Sequence, residues 1–184
     1  AYYHVDGGFF DCGEINVLMS FLRIIDNPLQ DMHFISVMRN IYGFTDEELA
    51  QISIHYRQKL PEGIIEKGRQ YFHDACIDYT CDDKQNVKAD ISDKLNAFIN
   101  RYNNIRTRAD AMAISQLLWI LIHENNFYDV LLSQPDGADY RGNINLLLNN
   151  AMNYDKNTGK GLFGFILYYD NLRKRKVDLN SANS

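Results

Sequence analysis

The residues able to do chemistry in this sequence fall into a few clusters, and each can be tested against what its chemistry would require. His73, Cys76 and Cys81 stand close together and carry donor atoms suited to zinc. A structural zinc site takes four such ligands, and no second pair follows at a suitable spacing. The trio therefore reads as a helix with a buried cysteine beside a loop cysteine, with no metal bound. His123-Glu124 lacks the second histidine of a metalloprotease helix. Gly159-Lys160-Gly161-Leu162-Phe163-Gly164 has the letters of a dinucleotide-binding turn. That turn works only between a strand and a helix, where glycines let a pyrophosphate reach the helix N-terminus. Here the polar residues Asn153 to Thr158 precede it, so it reads as a helix start. Nor is it a Walker A loop, because no glycine stands at the required distance before Gly159 and no Ser or Thr follows Lys160.

Carboxylates are plentiful (Asp11, Glu14, Asp26, Asp31, Asp46, Glu47, Glu48), yet no pair is set apart as an acid/base couple. Most suit solvated helix faces, and Asp46 and Glu47 also suit the positive end of a helix dipole. Arg173-Lys174-Arg175-Lys176 is the dense basic run. At a helix C-terminus it complements the dipole; the other reading is contact with phosphate. The expectation is that the chain has no catalytic centre, metal or cofactor of its own.

The elements that must position these residues are mostly helices. Ile15, Leu18, Met19, Leu22 and Ile25 recur at helical spacing, and Val17, Phe21 and Ile24 add a second stripe. That helix should be buried on most sides and stop at Asp26-Asn27-Pro28. A second helix is expected from Leu29 to Met38, with Met32, Ile35 and Val37 inward. After a turn at 40–44, Thr45-Asp46-Glu47-Glu48 spells a capping box leading into Leu49 and Ile52. Residues 62–78 read as helix despite Gly63 and Gly68, and 81–86 as a polar loop. Helix resumes near Asp90 with Ile91, Leu95, Phe98, Ile99 and Tyr102 on one face. Ile114, Leu117, Leu118, Leu121 and Ile122 follow, with Trp119 beside them. Residues 133–142, with Pro135 and two glycines, read as a loop. Two last helices carry Ile144, Leu147, Leu148 and Ala151, then Leu162, Phe163, Ile166, Tyr169 and Leu172. Residues 2–5 read as a short strand before the Asp6-Gly7-Gly8 turn, without sheet partners in this chain. The fold class is thus all-α, about seven or eight helices with a short N-terminal β strand.

At 184 residues, 46% hydrophobic and 12% aromatic, the chain has material for one domain and a real core. A net charge of −5 speaks against a free-standing DNA-binding module, though not against part of a larger DNA machine. Three cysteines at no framework spacing give no disulfide scaffold. No long apolar run suggests a membrane span, and no signal peptide or Asn-X-Ser/Thr acceptor occurs, so the cytoplasm is expected. The start lacks an initiator Met and reads as a piece of something longer.

Three stretches together resemble one family. Val5 to Ile15, through Gly7, Gly8, Phe10 and Glu14, resembles the segment leading from the second RecA-like core domain (2A) into the inserted 2B subdomain of UvrD/PcrA-type superfamily-one helicases. Phe21-Leu22-Arg23-Ile24-Ile25-Asp26-Asn27-Pro28-Leu29-Gln30-Asp31 and Val37 to Leu49 resemble the stretches that follow, worded most like the AddA subunit of AddAB helicase–nucleases. Leu117 to Tyr128 and Leu162 to Leu172 agree in order. The resemblance spans nearly the whole chain, and its first 50 residues carry most of the specificity.

It implies residues 1–11 as strand and linker from the 2A domain, 12–178 as the helical 2B-type subdomain and 179–184 as a frayed polar tail. The parent it implies is an ATP-powered 3′→5′ DNA helicase of break repair and recombination, with an exonuclease where it follows AddA. ATP and Mg²⁺, the other helicase domains and an AddB-type partner subunit would belong to that parent, outside this piece. Matched residue by residue, the family's duplex-contacting loop falls on Tyr42-Gly43-Phe44-Thr45, with Arg39 the nearest cation. Relatives often have a basic residue where this chain has Cys12-Gly13. The rival readings are a helical module that docks a partner subunit without touching DNA, and a self-contained enzyme using the acidic cluster.

Overall fold

The apolar spacings become helices because each stripe finds another stripe to cover it. The computed structural model describes residues 9–61, 70–82, 87–124, 127 and 137–174. After a 3₁₀ turn at Phe9–Asp11 come α1 (Gly13–Asp26), α2 (Asp31–Asn40), α3 (Asp46–Lys59) and α4 (Phe72–Cys81). Then follow α5 (Ala89–Ala109), α6 (Ile114–Glu124), α7 (Gly137–Asn157) and α8 (Gly161–Lys174). Among the described residues there is no strand, and no helix is long and apolar enough to cross a membrane. The chain divides into two compact units: Arg23–Arg108, and the flanking 1–22 with 109–184.

In the 23–108 unit α4 packs against both α2 and α3. Phe34 lies at the centre, its ring 5.5 Å from those of Phe98, Tyr102 and His73. A helix end leaves carbonyls without intrahelical donors, and α5 supplies them here. The Tyr102 hydroxyl donates to the Ile24 carbonyl at 2.7 Å, and Arg106 Nε to that of Ile25 at 3.2 Å. The first amide of α4 is met in the same way, Phe72 N–H donating to Asp31 Oδ1 at 2.8 Å. On the other side of α4, Lys59 Nζ bridges Asp78 and Asp82 at 2.8 and 2.9 Å, and His55 Nε2 lies 2.8 Å from Asp82.

In the other unit α6 packs on α7 and α8 on α6. Asp155 of α7 accepts from the Ile114 and Ser115 amides, at 3.0 and 2.9 Å, and so closes the N-terminus of α6. Gly159 and Gly161 turn the chain at φ +56° and +70°, backbone that L side chains adopt only under strain. Gly164 lies under the Tyr154 hydroxyl, where a Cβ would overlap that oxygen and come 2.8 Å from Lys160 Cβ. The fingerprint-like glycines thus have a turn and a close contact to serve.

Several expectations change. Gly137 to Gly142 is helix, not loop. Glycines just after a proline fit a helix start, and Ile144, Leu147, Ala151 and Tyr154 bury the face that holds it. Met32 is 84% exposed, because α2 starts at Asp31 and turns Phe34, Val37 and Met38 inward instead. Phe163 is 60% exposed, and Phe165 takes the buried place. Trp119 is 52% exposed. Helix α4 begins at Phe72, behind an extended Tyr71, and runs through Cys81. The expected strand at 2–5, Gly7, Gly8, residues 62–69, 83–86 and 133–136, Arg175, Lys176 and the tail at 179–184 lie outside the described residues.

Candidate nucleic-acid interface

The turn between α2 and α3 is where predicted site residues meet. The Tyr42 and Phe44 amides both donate to the Met38 carbonyl, at 3.2 and 3.1 Å, folding the chain back on α2. Gly43, at φ +65°, makes that reversal without a Cβ penalty, and nothing would crowd a Cβ there, so its need is one of backbone alone. Ile41 and Phe44 are buried and anchor the turn from beneath.

Thr45 then caps α3. Its Oγ1 accepts from the Glu48 amide at 3.2 Å, while Glu48 Oε2 accepts from the Thr45 amide at 2.7 Å. The capping box spelled in the sequence is therefore made in full. It uses one lone pair of the exposed hydroxyl and leaves its O–H able to donate. The Asp46 and Glu47 amides, in the first helical turn, have no intrahelical acceptor.

Lys94 of α5 holds this turn, and nothing in the local spelling of residues 39–48 announces it. Its ammonium donates to the Gly43 carbonyl and to Glu48 Oε2, both at 2.8 Å, and lies 4.4 Å above the Phe44 ring. Hydrogen bonds from Lys94, then from the Thr45 amide, pull the Glu48 carboxyl below its ordinary value. Arg39 pairs with Asp46 at 3.3 Å, both side chains more than half exposed. Two of the three acids in the first turn of α3 are thus matched by cations. The Tyr42 ring rests on Phe98 at 4.7 Å. Burial pushes its phenol up to about 12, against the opposing pull of Arg101, so it remains a hydrogen-bond donor at neutral pH.

The structure therefore brings Arg39, Tyr42, Gly43 and Thr45 into one turn. Arg173 and Lys174 belong to the other unit, at the end of α8, where Arg173 lies 3.3 Å from Asp11 in an exposed pair. Of the motif leading into the subdomain, Phe10 is buried edge-on to Tyr169, and Glu14 is 4% exposed, accepting from Asn143 Nδ2 at 2.8 Å. Cys12 lies beside the same Asn143, its thiol raised by burial and then by Glu14 and Asp11. Among the described residues, no three His, Cys, Asp or Glu side chains are placed to hold a metal ion. Cys76 is buried against Met38 at 3.9 Å, and Cys81 is exposed.

All-helical, with a glycine turn opening a helix N-terminus between cations, the chain fits the accessory helical parts of nucleic-acid machines. It is homologous to a segment of AddA, the larger chain of bacterial ATP-dependent helicase/nucleases. It is 29% identical, over its whole length, to the one from Listeria monocytogenes serotype 4b. It is 30% identical over 95% of its length to that of Clostridium perfringens, and 30% over 96% to that of Lysinibacillus sphaericus. The chain spans only 13–14% of the length of these relatives. No family model matches it.

Proposed function

We propose that this chain is the 2B-type accessory subdomain of an AddA-like, ATP-dependent DNA helicase/nuclease, and that its α2–α3 turn contacts duplex DNA near the fork. The parent would be a cytoplasmic 3′→5′ translocase of break repair and recombination. It would bind ATP and Mg²⁺ elsewhere and work with an AddB-type subunit. This piece would be non-catalytic and modulate unwinding.

The observation that carries the reading is the turn itself. Gly43 gives a ligand close backbone approach, Thr45 offers a hydroxyl at an exposed helix N-terminus, and Arg39 stands beside it. The exposed Arg39–Asp46 pair is worth little in water, so a phosphate can replace Asp46 at small cost. The amides of α4 and α6 are already met by Asp31 and Asp155, and neither helix is comparably open to an anion.

The test is binding of the chain to a labelled hairpin duplex with a 3′ tail across a salt series, beside an Arg39→Ala/Thr45→Val variant. Affinity that falls with salt, and falls further in the variant, supports the contact. Absence of binding at low salt refutes it.

A second reading, a module that docks a partner chain, draws on the other unit. There Phe163 and Leu167 lie one turn apart and exposed on α8. That reading predicts that charge substitution at Phe163 and Leu167 weakens assembly with the AddB-type partner while duplex binding stays unchanged.

A further inference from the structure

Helix α5 carries a run of cations that the turn does not use. From Lys94 to Arg108 the chain has four basic residues, four asparagines (Asn96, Asn100, Asn103, Asn104) and no acid. The 23–108 unit as a whole is nearly balanced, with 12 Lys and Arg against 13 Asp and Glu. The acids are therefore excluded from this stretch and not from the unit.

Two general arguments oppose a merely solvated face. Exposed helices commonly place opposite charges three or four residues apart. Arg101 and Arg108 have no acid at any such position and no ion pair among the described residues. Asparagine is also a poor helix former, since its side chain competes for backbone groups. A helix interior that tolerates four of them is not tuned for its own stability. Charge–dipole attraction accounts for Arg106 and Arg108 in the last turn. It does not reach Arg101, more than two turns from the end.

The cations divide by what they already do. Lys94 is held by Gly43, Glu48 and Phe44, and Arg106 by the Ile25 carbonyl. Arg101 is exposed, follows Phe98 (on which the Tyr42 ring rests) by one helical turn, and acts on the Tyr42 phenol. Arg108 is exposed and lies along the helix, its Nη1 3.3 Å from Asn104 Oδ1. Arg101, Asn104 and Arg108 follow at i, i+3 and i+7, so they form one row about 10 Å long. The row starts next to the turn.

We propose that Arg101, Asn104 and Arg108 form a second phosphate-binding row, which takes the sugar–phosphate backbone of the same duplex onward from the α2–α3 turn. The ligand class rests on the reading above; the row is an independent set of residues. Guanidinium and carboxamide groups without base-edge geometry position a backbone and read no sequence. Contact here is therefore indifferent to sequence.

The experiment compares the chain with an Arg101→Ala/Arg108→Ala variant and with Arg39→Ala/Thr45→Val, each titrated with a labelled short duplex across a salt series. Thermal melting serves as the folding control. Removing one phosphate contact should flatten the slope of log affinity against log salt by about 0.9. The α5 variant is expected to lose nearly two units of slope, equally on unrelated sequences, with an unchanged melt. An unchanged slope in that variant overturns the row, and if the turn variant still loses affinity the turn reading survives alone. Loss in the α5 variant with none in the turn variant keeps the row and removes the turn. No binding by the unaltered chain overturns both.

Discussion

Helix α3 in the 23–108 unit and helix α6 in the flanking unit close their N-termini in different ways. The first uses its own next residues: Thr45 and Glu48 exchange hydrogen bonds within one turn. The second uses Asp155 from α7, whose two oxygens take the Ile114 and Ser115 amides. A local cap forms with the helix and leaves its entrance open to an anion. A remote carboxylate ties two helices together and places the protein's own anion where a phosphate would go. The charge balance follows the same division. Outside 23–108 there are 7 basic residues against 11 acidic ones, compared with near parity inside. Packing over distance organises the acidic unit, while the near-neutral one keeps an accessible helix end.

The sharpest way to break this contrast is at Gly164. An alanine there must displace the Tyr154 hydroxyl or Lys160, and overpacking of this kind costs about 2 kcal/mol. Urea unfolding should register that loss. Tyr154→Phe removes the overlapping oxygen, which has no hydrogen-bond partner among the described residues, so the double variant should recover part of it. Additive effects would mean that the two positions do not meet.

A smaller effect separates the two caps. Asp155→Ala should cost about 1.5 kcal/mol and Thr45→Ala about 1 kcal/mol, both within the range for lost N-caps. Amide exchange distinguishes them more clearly. The first should release Ile114 and Ser115, while the second should release Glu48 and leave α6 unaffected. Equal loosening of both helices under either substitution would erase the distinction between local and remote capping.

The smallest effect is pH-dependent. Glu48 is held below its ordinary value of 4.5 by Lys94 and Thr45, so its pair contributes fully above that pH and is lost as pH falls through the lowered value. Lys94→Met should therefore cost roughly 0.5 kcal/mol near neutrality and progressively less on acidification. A deficit that persists in acid would assign Lys94 to packing on Phe44 instead.

Much of the helical frame was legible because periodicity is a local property. Leu49 and Ile52, the row from Ile91 to Tyr102, and Ile114 to Ile122 all turn inward as their spacing required. The capping box could be read from four letters. What failed was local in a different sense: Met32 and Phe163 are apolar residues on faces that no neighbour covers. The contacts that shape the candidate site join residues distant in sequence, and no window contains both members. Lys94 reaches Gly43, Asp31 reaches Phe72, and Asn143 reaches Glu14. The lack of acids after Lys94 was visible in the sequence, but it gained meaning only once Arg101 was placed beside Tyr42.

Helix α4 also carries a natural clock. Cys81 is exposed at its end, whereas Cys76 faces Met38 and is 0% exposed, its thiol driven far up by burial and then by Asp31. A thiol reagent meets Cys81 at once, and it meets Cys76 only when α4 lifts away from α2. The delay between those two labelling phases times the opening of this unit, with no engineered probe, and can be followed with and without DNA.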